Sequence, residues 1–198
     1  AHDLLRQPGI SPLLRYLWAP RLIAPLRWAA ETIVAQQGEG RRPIVAVAEE
    51  RREWTHDGIT ISGMPDRIDR LADNSLAIVD YKTGSSPSKA AVDAGFALQL
   101  GVLGLMAAHG AFTGKGEAVS TFEYWRMNRK GEAFGWIDAP FYKPNKARPD
   151  PLRPEELVPL AQARLREAIA TWLVGDAPFT AKLHPQYAPY SDYDQLMR

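Results

Sequence analysis

Two aspartates on either side of a short apolar hairpin constrain this chain more than any other feature. Asp66 closes the segment Gly63-Met64-Pro65-Asp66, and Asp80 opens Asp80-Tyr81-Lys82-Thr83-Gly84. Between them, Arg67 to Leu71 reads as a strand, Ala72-Asp73-Asn74 as a polar turn, and Ser75 to Val79 as the returning strand. Such a hairpin folds the two carboxylates toward each other. Side chains alternate along a strand, so Asp80 and Lys82 share one face while Tyr81 turns to the other and leaves its carbonyl near the same place. Ile59 and Ile61 are out of phase with Asp66 and Ile68, which predicts a kink or bulge at Gly63 to Pro65 that re-aims Asp66.

Converging carboxylates beside a fixed ammonium have a definite chemistry. A hard cation such as Mg²⁺ selects carboxylate oxygens, and it neutralises charge that develops on phosphate oxygens when a phosphodiester is cleaved. An ammonium two residues from such a ligand can orient or help deprotonate an attacking water, or stabilise the transition state. Asp69 is a weaker candidate ligand than Asp66, because three residues along a strand place it on the opposite face.

At these residues the chain resembles the PD-(D/E)XK nucleases, and within them the RecB-type branch: Gly-x-x-Asp, a hairpin, Asp-Tyr-Lys-Thr, then a helical stretch, Ala90 to His109, carrying Gln99. The resemblance implies an α/β restriction-endonuclease-like core of order αβββαβ, a mixed sheet flanked by helices. It implies Mg²⁺ (Mn²⁺ substituting) held by Asp66 and Asp80 with the Tyr81 carbonyl, catalysis by Lys82, and a positioning role for Gln99. Leu103 stands where that branch often has tyrosine, a departure that bears on a ring contact and not on the metal site. Glu49, in the first strand, falls at a position matching a family acidic residue, against the alternative of a solvated charge beside Glu50. His2, followed by Asp3-Leu4-Leu5, falls where the family places a helical histidine ligand.

A closer resemblance is to the C-terminal nuclease domains of the AddB family of helicase-nuclease subunits. Asp66 to Leu71, Leu76 to Gly84 and the ending Tyr187 to Leu196 carry it, over roughly residues 43 to 196. It implies a DNA exonuclease module acting in double-strand break repair, with an AddA-like subunit and the remainder of an AddB-like protein as partners. By the same resemblance, ATP-driven unwinding belongs to other domains.

Length and composition agree with one domain of 198 residues, part of a larger protein and by the resemblance a nuclease domain: 45% hydrophobic and 10% aromatic content supports one sizeable core. No apolar run approaches a membrane span and no signal peptide opens the sequence, so the expectation is a cytoplasmic, soluble chain. There is no cysteine, which excludes disulfides, thiolate metal sites and an iron–sulfur cluster within this chain. A net charge of +1 does not advertise nucleic acid, yet Arg126 to Lys130 and Lys143 to Arg148 are basic runs that can follow a phosphate backbone or simply be solvated loops. Trp125, directly before the first run, is a candidate for stacking on a base.

The remaining elements follow from periodicity and breakers. Residues 11–37, interrupted by Pro20 and Pro25, read as two or three short helices. Pro43 to Trp54 reads as one strand and Gly58 to Asp69 as a second. Leu76 to Lys82 is a third, Lys89 to His109 a single helix, and Glu117 to Met127 and Phe134 to Ile137 are further strands. A proline-rich loop precedes a helix from Glu155 to about Val174, and the tail from Asp176 is expected to wrap the surface. Gly110 to Gly116 has neither the spacing nor the Ser/Thr of a phosphate loop and reads as a turn. His56, His109 and His184 are isolated and suit packing or surface roles. The alternative to an enzyme is a silent DNA-binding or subunit-scaffolding module, or a domain that needs a partner for stability. The intact set of Asp66, Asp80, Lys82 and Gln99 argues against silence.

Overall fold

A computed structural model describes residues 11–45, 51–56, 58–131, 133–178 and 187. Helix α1 is Pro12–Gly38. Strands β1 (Arg42–Val45), β2 (Arg52–His56), β3 (Ile59–Gly63), β4 (Arg67–Arg70) and β5 (Leu76–Lys82) follow, then helices α2 (Lys89–Asp93) and α3 (Gln99–Ala108), strands β6 (Val119–Lys130) and β7 (Ala133–Asp138), and helix α4 (Pro154–Ala168). A wide π-type turn, Ile169–Leu173, prolongs α4.

The hairpin forms as its residues dictate. β4 and β5 pair antiparallel from Arg67↔Val79 to Arg70↔Leu76, and Asn74 turns the chain with φ 67°, a conformation its short polar side chain tolerates. β5 then pairs in parallel with β6, Asp80 opposite Tyr124 and Lys82 opposite Arg126. The parallel step needs a crossover, and α2 and α3 supply it. The main sheet has the order β1-β4-β5-β6-β7. This is the mixed sheet flanked by helices expected from the sequence.

Each face of the sheet has its own core. On one, Ile68, Leu76, Ile78 and Phe122 pack against Leu100, Leu103 and Met106 of α3. On the other, Val79 and Trp125 pack against Trp28 and Ala29 of α1. α4 lies over α3, which can approach closely because Gly101 has no side chain: a Cβ there would sit 2.9 Å from the Ala161 Cβ.

Several expectations are corrected. α1 is one helix, not two or three: each proline removes one backbone donor, but its fixed φ suits a helix and the surrounding Leu, Ala and Arg are strong helix formers. Lys89 to His109 is two helices, because Gly95 adopts φ 78° and the Phe96 amide turns back to the Ala91 carbonyl at 2.8 Å, ending α2. Pro43 to Trp54 is not one strand: β1 joins β4, whereas β2 pairs with β3 in a separate two-stranded sheet. Gly58 to Asp69 is likewise broken between β3 and β4, at the kink expected at Gly63 to Pro65. The helix expected to about Val174 keeps α-helical form only to Ala168.

Candidate functional site

The site lies where β5 leaves the hairpin, beside the first turn of α3. β3 ends against α3, with Gly63 so close that a Cβ would lie 2.8 Å from the Met106 sulfur, and Pro65 is buried. The chain must bend there, and the bend delivers Asp66 to β5: its Oδ2 accepts the Tyr81 amide N–H at 2.7 Å.

Asp80 is only 4% exposed. Its Oδ1 accepts from Gln99 Nε2 at 3.0 Å, and Lys82 Nζ is 2.7 Å from Oδ2. Lys82 Nζ also lies 3.5 Å from Gln99 Oε1. Three of the expected residues therefore form one contact network, with Asp66 close by. Burial raises the Asp80 carboxyl above its ordinary value, the Asp66 charge adds to that, and Lys82 and Gln99 pull against it. That balance is the environment of a carboxylate that gains from an added cation.

The donor set fits a hard divalent ion. Asp80 Oδ2 is buried and meets the Lys82 ammonium at 2.7 Å, and since a carboxylate oxygen carries two lone pairs, one remains for a ligand. Among the described residues no three His, Cys, Asp or Glu side chains come together as a cage. Mg²⁺ asks for no such cage, since it is commonly held by one or two carboxylates and keeps several waters. His2 and Glu49 lie outside the described residues.

Tyr81 turns to the opposite face, as alternation requires. Its hydroxyl accepts from Arg67 Nη1 at 3.3 Å and its ring meets Trp125 edge-on. Asp69 is on that face too, fully buried, accepting from Arg41 Nε and Arg67 Nε at 2.6 Å each. It is an ion-pair partner of two arginines and no part of the carboxylate site.

The family model for the PD-(D/E)XK nuclease superfamily matches residues 11–192. The chain belongs to that superfamily. No curated protein matches it. Within the PD-(D/E)XK frame, the residues missed by sequence reasoning lie one strand further on. Asp80, Tyr124 and Asp138 stand side by side on β5, β6 and β7, and beside that row run Lys82, Arg126 and Trp136. The registers of the parallel β5–β6 pair and the antiparallel β6–β7 pair set up these rows, and no local pattern reports them.

The basic runs are partly engaged. Arg126 donates to Ser86 Oγ at 2.6 Å and lies over the Trp136 ring, whereas Arg129 and Lys130 are exposed. Arg148 covers the Tyr142 ring at 3.7 Å. Trp125 is not available to stack on a base: it is fully buried and its Nε1 donates to Glu123 at 2.8 Å. His56 and His109 both stack on Trp54, a packing role, while His184 lies outside the described residues. Gly110 to Gly116 is a turn. Of the tail, only residues 176–178 and Tyr187 are described; Tyr187 stacks on Phe96. Among the described residues, no helix is long and apolar enough to cross a membrane.

Proposed function

We propose that this chain is a Mg²⁺-dependent DNA nuclease domain in which Asp66 and Asp80 hold the cation, Lys82 is the catalytic amine and Gln99 positions Asp80 and Lys82 together. The observation that carries the reading is the contact of Gln99 with both Asp80 and Lys82 at the mouth of the β4–β5 hairpin, in a chain of the PD-(D/E)XK superfamily. The bound cation would neutralise charge on the phosphate.

The chain's own groups divide the remaining work. Lys82 is 24% exposed in its side chain, so its ammonium can leave Asp80 for an entering phosphodiester oxygen or the attacking water. Gln99 uses both ends of its amide, donating to the carboxylate and accepting from the ammonium, which fixes their separation. The Tyr81 amide holds Asp66, and in an extended strand the carbonyl of the same residue points to the same side. That supports the Tyr81 carbonyl as a further oxygen ligand. His2 and Glu49 are proposed as additional ligands on the family resemblance alone.

At a finer level, the domain is proposed to be the exonuclease module of an AddB-like helicase-nuclease subunit in double-strand break repair, one domain of a larger protein, fed by an AddA-like partner. The likeness of Asp66 to Leu71 and Leu76 to Gly84 to that family supports this. Cleavage of DNA in Mg²⁺ or Mn²⁺ by the wild-type chain, with Asp80→Ala and Lys82→Ala prepared folded, tests the site. Loss in both variants is expected, and wild-type turnover in pure Asp80→Ala would refute it. Nuclease rate on duplex ends with and without the full assembly and ATP tests the partners: an isolated domain as fast as the complex would refute their role.

A further inference from the structure

Among the described residues the buried Tyr124 Oη has no hydrogen-bond partner, and on the neighbouring strand the buried Asp80 Oδ2 meets the Lys82 ammonium at 2.7 Å with a second lone pair to spare. Tyr124 and Asp80 are register partners across the parallel β5–β6 ladder, so both side chains project from the same face about 4.8 Å apart at the backbone. Tyr124 is 1% exposed, and its ring lies under the Lys82 ammonium, 5.8 Å from the centroid. Asp138 flanks Tyr124 on the other side, in register on β7.

An unpartnered phenol at that depth weakens the fold, and phenylalanine would fill the same space without the cost. A buried water needs two to four polar partners, and the phenol, the Asp80 carboxylate and the Lys82 ammonium offer them. We propose that Tyr124 is a positioning residue of the proposed metal site, its hydroxyl donating through one trapped water to Asp80 Oδ2 and so fixing the rotation of that carboxylate. The inference rests on Asp80 being a metal ligand. The phenol is suited to the task because a tyrosine hydroxyl keeps its proton at neutral pH and can donate it in a hydrogen bond. Partners of this outer kind orient ligating carboxylates and tune their affinity for the ion.

The test compares Tyr124→Phe and Asp80→Asn with the wild-type chain in three measurements: thermal unfolding, Mn²⁺ binding by titration calorimetry with the metal alone, and steady-state DNA cleavage. For Tyr124→Phe the expected result is a Tm equal to or above wild type, Mn²⁺ affinity weaker by roughly tenfold, and kcat lower by roughly 10- to 100-fold with KM for DNA unchanged. A Tyr124→Phe chain that binds Mn²⁺ as wild type does overturns the proposal, as does one whose losses simply track a lowered Tm. Asp80→Asn separates the two levels of the argument. If it loses Mn²⁺ binding and cleavage while Tyr124→Phe keeps both, the tyrosine's role falls and the site stands. If Asp80→Asn itself binds Mn²⁺ like wild type, the metal-site reading falls with everything built on it.

Discussion

Replacing Asp69 by leucine would break a buried ion pair while sparing the carboxylate site. Asp69 is fully buried and accepts three charged N–H groups: Arg41 Nε at 2.6 Å, Arg67 Nε at 2.6 Å and Arg67 Nη2 at 2.5 Å. Stranding a buried charge by removing its partner costs about 3–5 kcal/mol. The two arginines do not suffer equally. Arg41 keeps a bidentate pair with Glu123, 2.9 Å on each arm, whereas Arg67 is left with Gln36 at 3.2 Å, the Tyr81 hydroxyl at 3.3 Å and the Trp125 ring at 4.4 Å. A desolvated cation over tryptophan retains about 2 kcal/mol, so the loss should fall near the lower end, about 3 kcal/mol. For a domain of this size that is a fall of roughly 6–12 °C in Tm. The assay is urea unfolding at constant m-value, with Arg67→Met alone and the Asp69→Leu/Arg67→Met double beside it. The double should be more stable than Asp69→Leu, because Arg67, the arginine left with the weaker partners, is gone while Arg41 keeps Glu123. Asp69→Leu should also bind Mn²⁺ as wild type does, being on the face away from Asp80. A single-variant loss below about 1 kcal/mol would refute the energetic reasoning, and a folded Asp69→Leu chain without Mn²⁺ affinity would make Asp69 the ligand.

In the metal-free chain, Asp80→Asn should raise Tm at neutral pH, and with Mg²⁺ added it should fail to cleave DNA. Because the folded carboxyl lies above its ordinary value of 3.8, its ionisation weakens the fold as pH rises through that range. The stability gap between variant and wild type should therefore close below pH 3.8, which melting curves across pH would check. Glu117 behaves oppositely: hydrogen bonds from Arg70 and then Thr113 hold it down at about 2 from 4.5. The stability it lends is full above 4.5 and is lost as pH falls toward 2, so Glu117→Gln should flatten that limb of an acid titration followed by circular dichroism. Ca²⁺, larger and looser in geometry than Mg²⁺, should bind without supporting cleavage, and EDTA should abolish it; cleavage persisting in excess EDTA would remove the metal from the mechanism. Gly135→Ala should destabilise by about 1–3 kcal/mol or more, measured by denaturant unfolding, since φ is 76° there and the new Cβ would lie 2.1 Å from Trp28 Cδ2.

The part of the site legible in the sequence was the part made by neighbours along the chain. Asp66, Asp80 and Lys82 sit on one hairpin, so alternation and a turn were enough to bring them together and to send Asp69 and Tyr81 to the other face. Gln99 required a further assumption, that the following helix returns to β5, which the family resemblance supplied. Tyr124 and Asp138 were illegible because their place depends on how β6 slides against β5 and β7 against β6, and a slip of one residue would have turned Tyr124 to the α1 face and Trp125 toward the site. Trp125 was a candidate for stacking on a base from the charges beside it, whereas the strand's parity buries it. The breaks missed by periodicity were at single residues: Gly95 divides what reads as one helix, while Pro20 and Pro25 fail to divide α1.

The parallel pairing of β5 with β6 also sets a timetable for the chain's synthesis. A hairpin such as β4–β5 closes within microseconds once both strands exist, so Asp66 and Asp80 can meet at once. Tyr124 follows Asp80 by roughly forty residues, which at about 5–20 residues per second leave the ribosome over several seconds. During that interval the acidic pair has no β6 wall beside it, and the crossover helix bearing Gln99 has only the β4–β5 part of the sheet on which to settle. A newborn chain thus carries its proposed ligands early and their geometry late, so the proposed site can be competent only after the crossover has closed.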